Sequence, residues 1–462
     1  MTNWLPDLQS QSGPRYKAIV ACLAKDVAAG RLSPGTRLPT HRDLAWQLGV
    51  TVGTITRAYA EAEKRGLVLG EVGRGTFVRA AVPNAPPVPR RDPGGADLID
   101  LSYNFPPHSP ENHVISEALG ELSAEGGLPH LLDYQLGLGH PHHRAAGVAW
   151  LEQFGLEAEA DQLAVTAGAQ HAMLLATAAA TRPGDILLAE ELTFYGIKTI
   201  ASLLDLRLYG LTMDEEGLTP EGLDAACRSS GAKALYCIPS LQNPTTAIMS
   251  EERRQAVAEV CRRHGVTVIE DDVYGFLPEP GPAPLTNRLP EQGIYLTSLS
   301  KCVAPGLRIG FLKAPAAKLE RITTAMRAST LMAPPVMAEV AARLIADGRA
   351  KRLTQWQRGE AQARQALARR YLPAEGLSTQ PDAFHLWLEL PEPWRREDFT
   401  AAARRRGVGL ASAEVFAVGR QPVPHAVRIC LQAAQSRAHL EQALDILGDL
   451  LRTPEATRAP IV

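Results

Sequence analysis

A chain of 462 residues is long enough for two or three domains, and its 45% hydrophobic and 21% charged content excludes a disordered or fibrous protein. Six scattered cysteines (Cys22, Cys227, Cys237, Cys261, Cys302, Cys430) form no Cys-x-x-Cys pair, which argues against a zinc site or disulfide framework and fits a reducing cytoplasm. The net charge of -2 hides an asymmetry: residues 1–80 hold eleven Lys/Arg against six Asp/Glu, the rest thirty-seven against forty-four, so only the first block suits a polyanion.

Trp4-Leu5-Pro6-Asp7 breaks any apolar run of the kind a signal peptide needs. The longest apolar stretch, Ala172 to Ala180, is interrupted by Thr177 and too short to span a bilayer, so a soluble, cytoplasmic protein is expected. Tyr16, Ile19, Leu23 and Val27 recur at helical spacing, and Gly30 ends that helix. Thr40-His41-Arg42-Asp43 reads as a capped start with Leu44 and Leu48 on one face. Gly49 turns the chain, and Thr51 caps a third helix from Val52 to about Lys64. Leu67-Val68-Leu69 and Thr76-Phe77-Val78 then flank Gly70-Glu71-Val72-Gly73-Arg74-Gly75. Three helices and a glycine-tipped hairpin predict a winged helix over residues 1–80.

The third helix divides as a groove-reading helix must. Thr51, Thr54, Thr56 and Arg57 face outward, while Ile55, Ala58 and Ala62 face inward. Arg37 and Arg42 are placed for phosphate contacts, and Arg74 tips the wing, where a minor groove would receive it.

This pattern carries a resemblance. Leu38-Pro39-Thr40-x-Arg42-x-Leu44-Ala45, Leu48-Gly49-Val50-Thr51, Ala58-Tyr59 and Gly73-x-Gly75-Thr76-Phe77-Val78 closely resemble the GntR winged helix over about residues 14–79. Val52 and Gly53 stand where relatives often carry Arg or Lys, which shifts base readout toward Thr54, Thr56 and Arg57.

Residues 81–98 read as a linker. Pro83, Pro86, Pro87, Pro89, Pro93 and Gly94-Gly95 leave no hydrophobic period, and a polyproline II-like path would reach about 50 Å. Beyond it, from 99 to 452, short β-branched runs alternate with helical ones: Leu163 to Thr166, Ile186 to Leu188, Leu235 to Ile238, Val266 to Ile269, Ile294 to Leu296 and Ile309 to Phe311. Such alternation predicts a mostly parallel sheet covered by helices, in a large part at about 151–330. Strand patterns near Phe384 to Leu390 and Val427 to Leu431, among helices, predict a smaller α/β part made of about 99–150 and 331–452. Residues 453–462 form a tail.

The loops after these strands carry chemistry. Ser298-Leu299-Ser300-Lys301 follows one strand and precedes Pro305-Gly306-Leu307-Arg308. Glu270-Asp271-Asp272-Val273-Tyr274 follows another. The alternative for that acidic run, a metal site, lacks a suitably spaced histidine, so no metal is expected. Together these meet the needs of pyridoxal 5′-phosphate (PLP): Lys301 for the Schiff base, Asp271 for the pyridine nitrogen, and Tyr274 and Asn243 as donors to O3′. Ser298, Ser300, Arg308 and the small residues of Gly168-Ala169-Gln170 suit the phosphate. Phe194, with Tyr195 as its rival, is a candidate to stack on the ring; Tyr134 suits the phosphate of a partner subunit, and Arg428 a ligand carboxylate.

In that order the motifs resemble the fold-type I aminotransferases of class I/II over about residues 99–452. Thr246 replaces a usual glycine after Asn-Pro-Thr, and Leu192 a common proline before the aromatic. A GntR winged helix ahead of such a domain is similar to the MocR family. The resemblance implies a head-to-tail homodimer, a double-stranded DNA operator, and a transcription regulator that senses PLP or an amino-compound effector at Lys301. The alternative is a working aminotransferase whose first domain only anchors or regulates it.

Overall fold

The computed structural model describes residues 4–6, 8, 14–29, 31–32, 36–65, 67–71, 75–78, 98–126, 128–135, 137–419 and 421–452; Arg74, the linker to residue 97 and the tail lie outside them. The chain divides into two units at Pro83 and Asn84, each with its own core.

In the first unit, helices α1 (Arg15–Ala28), α2 (His41–Leu48) and α3 (Val52–Lys64) precede a hairpin of β1 (Val68–Glu71) and β2 (Gly75–Val78). The helix starts are set as the sequence predicts. Thr40 accepts from Asp43 N at 3.2 Å, Thr51 accepts from Thr54 N at 3.3 Å, and Gly49 adopts a left-handed φ of 62° between the helices. Ile19, Leu23, Leu44, Ile55, Ala58 and Ala62 close the core with no exposed surface. Leu38 N donates to Thr76 O and Val78 N to Thr36 O, both at 2.8 Å, so the segment before α2 pairs with the wing.

The second unit runs through β3 (Ile99–Asp100), α4 (His113–Ala124), α5 (Leu128–Leu131) and α6 (Pro141–Glu152). Then come β4 (Leu163–Thr166), α7 (Ala169–Ala180), β5 (Ile186–Glu190), α8 (Tyr195–Leu203), β6 (Arg207–Leu211) and the small pair β7 (Met213–Asp214) and β8 (Gly217–Leu218). They are followed by α9 (Pro220–Ser230), β9 (Ala234–Cys237), α10 (Glu251–His264), β10 (Thr267–Asp271), β11 (Gly293–Ser298) and β12 (Gly310–Lys313).

Seven of these strands form one sheet in the order β4-β12-β11-β10-β9-β5-β6, parallel except for β12, which runs antiparallel to both neighbours. Alternate residues feed opposite faces, as the pleat requires. Leu187, Tyr236 and Ile269 join the core under α7 and α8, whereas Leu188, Leu235 and Val268 join the core under α9 and α10. Helix α7 is apolar on nearly every side and correspondingly buried.

The chain continues as α11 (Ala316–Ser329), α12 (Pro335–Ala346) and α13 (Arg349–Tyr371), then β13 (Leu377–Ser378), β14 (His385–Glu389), α14 (Arg396–Arg405), β15 (Val408–Gly409), β16 (Ala411–Ser412), β17 (Ala426–Cys430) and α15 (Arg437–Arg452). Strands β13-β14-β17-β16 make the second, smaller sheet, and β3 pairs with β15 beside it. Helix α6 packs both on α12 and on the large sheet: a Cβ at Gly147 would collide with Leu163 and Phe311, and Trp150 and Leu151 share their core. Among the described residues no helix is long and apolar enough to cross a membrane.

Candidate functional site

The parallel strands all deliver their carboxyl ends to one edge of the large sheet, where ligands of open α/β sheets bind. Gly168 follows β4, Phe194 follows β5, Asn243 follows β9, Asp271 ends β10, Ser298 ends β11, and Ser300 and Lys301 follow it. Because β12 is reversed, Arg308, two residues before it, arrives at the same edge.

At the centre, the Lys301 ammonium donates to the backbone carbonyl of Asn104. Burial lowers its pKa to about 8, against weaker opposing pulls from Cys430 and then Asp271. Asp271 is buried; its Oδ2 accepts from Tyr236 Oη at 2.7 Å, while Oδ1 is buried with no partner among the described residues. Burial raises its pKa to about 6, opposed by the Tyr236 hydrogen bond. Tyr274, also buried, accepts from Asn104 Nδ2 at 2.6 Å. Arg428 is 1% exposed: Nη1 donates to Asn243 Oδ1 at 2.6 Å, Nη2 to Ser102 O at 2.7 Å, and the guanidinium lies 4.6 Å from the Phe416 ring centre. Its Nε has no partner among the described residues.

A second cluster sits at the α7 N-terminus. Gly168 adopts φ 87° before the helix begins at Ala169, and the Arg308 guanidinium lies against it. Arg308 Nη2 donates to Ala167 O at 3.0 Å and Nη1 to Ser300 Oγ at 3.4 Å; Ser300 N donates to Ser298 Oγ at 3.4 Å. Gln170 Nε2 reaches Gly196 O at 3.5 Å, beside the Phe194 ring, whose centre is 4.7 Å from that of Tyr195.

These residues fit PLP. The unpartnered carboxylate oxygen of Asp271 suits a protonated ring nitrogen, and the Gly168 cradle, closed to any side chain, suits a phosphate under Arg308. Tyr134 is not drawn into this edge; it is 76% exposed. Thr246 keeps the left-handed φ of 66° that a glycine would take more readily, held by its N–H donating to Gln242 O at 2.7 Å. Leu192 keeps an extended backbone through a bridge to Ala417.

Three residues escaped the reading of the sequence: Asn104, Tyr236 and His385. Tyr236 holds Asp271, and Asn104 touches Lys301, Tyr274 and His385. The one signal available was His385, a polar residue inside the apolar run Ala383-Phe384-His385-Leu386-Trp387-Leu388.

In the first unit, Thr51, Thr54 and Arg57 line one depression of about 280 Å³ with Arg15, Tyr16 and Gly53. The Arg57 guanidinium stands 4.3 Å from the Tyr16 ring centre, so this side chain is held rather than loose. Thr56 is exposed, its hydroxyl 3.2 Å from His41 Nδ1; Arg42 is exposed on α2 and Arg37 lies against Gly75 at the wing.

The family model for aminotransferase class I and II matches residues 96–447, and that for the bacterial regulatory proteins of the gntR family matches residues 15–78. An uncharacterized HTH-type transcriptional regulator of Bacillus subtilis, YdeF, is 32% identical over 457 residues, covering 97% of each chain. The Escherichia coli regulator YjiR is 28% identical over 436 residues, covering 87% of this chain and 92% of its own. Among solved structures, an archaeal alanine:glyoxylate aminotransferase superposes with a TM-score of 0.71 at 22% identity, over 78% of this chain and 91% of its own, a likeness of fold.

Proposed function

Since the chain belongs to the class I and II aminotransferase family and carries a gntR-family DNA-binding domain ahead of it, the arrangement of the MocR regulators, we propose that it reads an amino-compound effector at Lys301 and answers in its grip on DNA. It is a PLP-dependent, DNA-binding transcription regulator. The observation that carries the sensing step is the juxtaposition of an amine lowered to about pKa 8 with the buried, incompletely satisfied guanidinium of Arg428.

When bound, PLP supplies an electrophilic carbon that combines reversibly with primary amines. The chain's own residues would do the rest. Asn104 O seats Lys301, Asp271 would keep a proton on the ring nitrogen, and Tyr274 and Asn243 would donate to O3′. Ser298, Ser300, Arg308 and the N–H groups entering α7 would hold the phosphate, Phe194 would cover the ring, and Arg428 would receive a carboxylate on the effector.

Double-stranded operator DNA is read by Thr51, Thr54, Thr56 and Arg57, with Arg37, Arg42 and Arg74 on the backbone or wing. A head-to-tail homodimer would place exposed Tyr134 at the phosphate of the partner site and set two reading heads on separated half-sites. The cell compartment is the cytoplasm, where DNA and free PLP meet.

The test measures binding of the full chain to its selected DNA site by fluorescence anisotropy, cofactor-free, PLP-loaded, and PLP-loaded with a panel of amines. Sensing requires affinities that differ between these states. Equal affinity in all three removes the proposal. Steady transfer of amino groups between an amino acid and a keto acid, without any specific DNA site, would favour the aminotransferase reading, which the complete residue set supports.

A further inference from the structure

We propose that Asn104 and His385 are positioning residues that fix the direction of the Tyr274 hydroxyl, leaving its hydrogen to point at O3′ of PLP. This rests on the placement of Tyr274 beside that oxygen put forward above. Three contacts, whose donors and acceptors follow from the chemistry of the groups, set this direction.

His385 opens β14 with no exposed surface, and its Nε2 lies 3.2 Å from Gln242 O. A carbonyl only accepts, so Nε2 carries the ring hydrogen. Burial first, then the Arg428 and Lys301 cations, push the imidazole pKa down to about 3, and the ring is neutral. Its Nδ1 is therefore an acceptor. The Asn104 amide atom 3.0 Å from Nδ1 must then be a donor, which identifies it as Nδ2. That same nitrogen lies 2.6 Å from Tyr274 Oη and directs its second hydrogen there.

The phenol oxygen of Tyr274 is thus occupied as an acceptor, and burial keeps the phenol un-ionised. Among the described residues its own hydrogen has no acceptor and remains to be donated. The ring is fixed by His385 at 5.7 Å and Phe384 at 5.9 Å between centres. Asn104 also offers its backbone carbonyl to Lys301, so one residue sets both the amine and the phenol. Among the described residues, the charged and titratable groups facing this corner are Lys301, Arg428, Asp271, Cys430 and Tyr195.

A donor at O3′ draws negative charge out of the conjugated ring, so losing it raises the pH midpoint of the bound cofactor's visible absorbance band. Full-length Tyr274→Phe, Asn104→Ala, Asn104→Asp, His385→Leu and His385→Asn proteins are loaded with PLP and titrated by absorbance, and the PLP dissociation constant is measured for each. Tyr274→Phe raises the midpoint by about one to two units and weakens PLP about tenfold. Asn104→Asp matches that shift, because a carboxylate accepts the Tyr274 hydrogen and turns it away. Asn104→Ala and His385→Leu give about half the shift, while His385→Asn, whose amide oxygen restores the acceptor, returns to within about 0.3 units of the parent.

Independently, nitrogen NMR of the cofactor-free protein with labelled histidine shows His385 neutral and protonated on Nε2. That measurement, with Asn104→Ala, carries the test if His385→Leu does not fold. A parent-like midpoint in Asn104→Ala and Asn104→Asp beside a shifted Tyr274→Phe overturns the relay alone, as does protonation on Nδ1. An unshifted Tyr274→Phe instead overturns the placement of Tyr274 on which the relay rests.

Discussion

Gly168 lies directly against the guanidinium of Arg308: a Cβ built on the glycine would stand 3.0 Å from Arg308 Cζ and closer still to Nη2. The left-handed φ of 87° adds a second reason for glycine here. Gly168→Ala should therefore displace Arg308 from the α7 N-terminus and weaken PLP binding by about 10- to 100-fold, the worth of one charge-assisted contact. Fluorescence titration of PLP into the cofactor-free protein measures it; unchanged affinity would mean that the phosphate lies elsewhere.

Asp271 should set function against stability. Its carboxyl, buried and raised to about pKa 6, binds a proton more tightly folded than unfolded. In the cofactor-free protein its contribution is fully present below the unfolded pKa of about 3.9 and is lost as pH rises through about 6. Asp271→Asn keeps an acceptor for Tyr236 without the charge. The cofactor-free variant should gain about 2 kcal/mol at pH 8 and little at pH 4, by denaturant unfolding, while PLP retention falls.

Lys301 titrates in the opposite sense. Burial favours its neutral form, with a pKa of about 8. Only the neutral amine attacks an aldehyde, so the rate of PLP capture should rise with pH and level off above a midpoint of about 8. Stopped-flow absorbance checks this, and a midpoint near 10.4, the unperturbed value, would deny the burial.

The fully buried pair Arg254 and Glu270 braces the loop that presents Asn243. Arg254 Nη2 donates to Pro239 O at 3.1 Å and Ser240 Oγ at 3.0 Å, and Glu270 accepts from Leu285 N and Thr286 N at 3.0 and 2.8 Å. Removing one partner strands the other charge. Arg254→Met should destabilise the protein by about 3–5 kcal/mol in denaturant unfolding, more than the joint replacement of both.

In the DNA-binding unit, Arg57→Ala should lose about 1–3 kcal/mol of discrimination at one base pair, with the slope of log affinity against log salt nearly unchanged, as the loss of a base-edge contact does. An equal loss on specific and non-specific DNA, with the slope reduced by about one, would instead place the stacked guanidinium on a phosphate. Anisotropy across a salt series distinguishes the two.

Much of this architecture was legible in the amino acids. The strands that carry the site are short runs of Leu, Val and Ile buried on both faces, such as Ala234–Cys237 and Thr267–Asp271, and their loops hold the unusual residues. The edge strand Arg207–Leu211 was not legible, because Arg207 and Tyr209 face solvent and only Leu211 is buried. The side on which α6 packs depends on Gly147 meeting Phe311, a contact that no local pattern announces. Asn104 and His385 were hidden for the same reason. Their partners lie 170 and 281 residues away from Asn104, and only the folded chain brings them together.

Function in this protein turns on where the cofactor is held. Borohydride reduction of the PLP-loaded full-length protein, followed by peptide mass spectrometry, should place the phosphopyridoxyl group on Lys301 alone, at about one per chain, and Lys301→Ala should take up none. A label on another lysine, or an unlabelled Lys301 in protein that retains PLP, would contradict it.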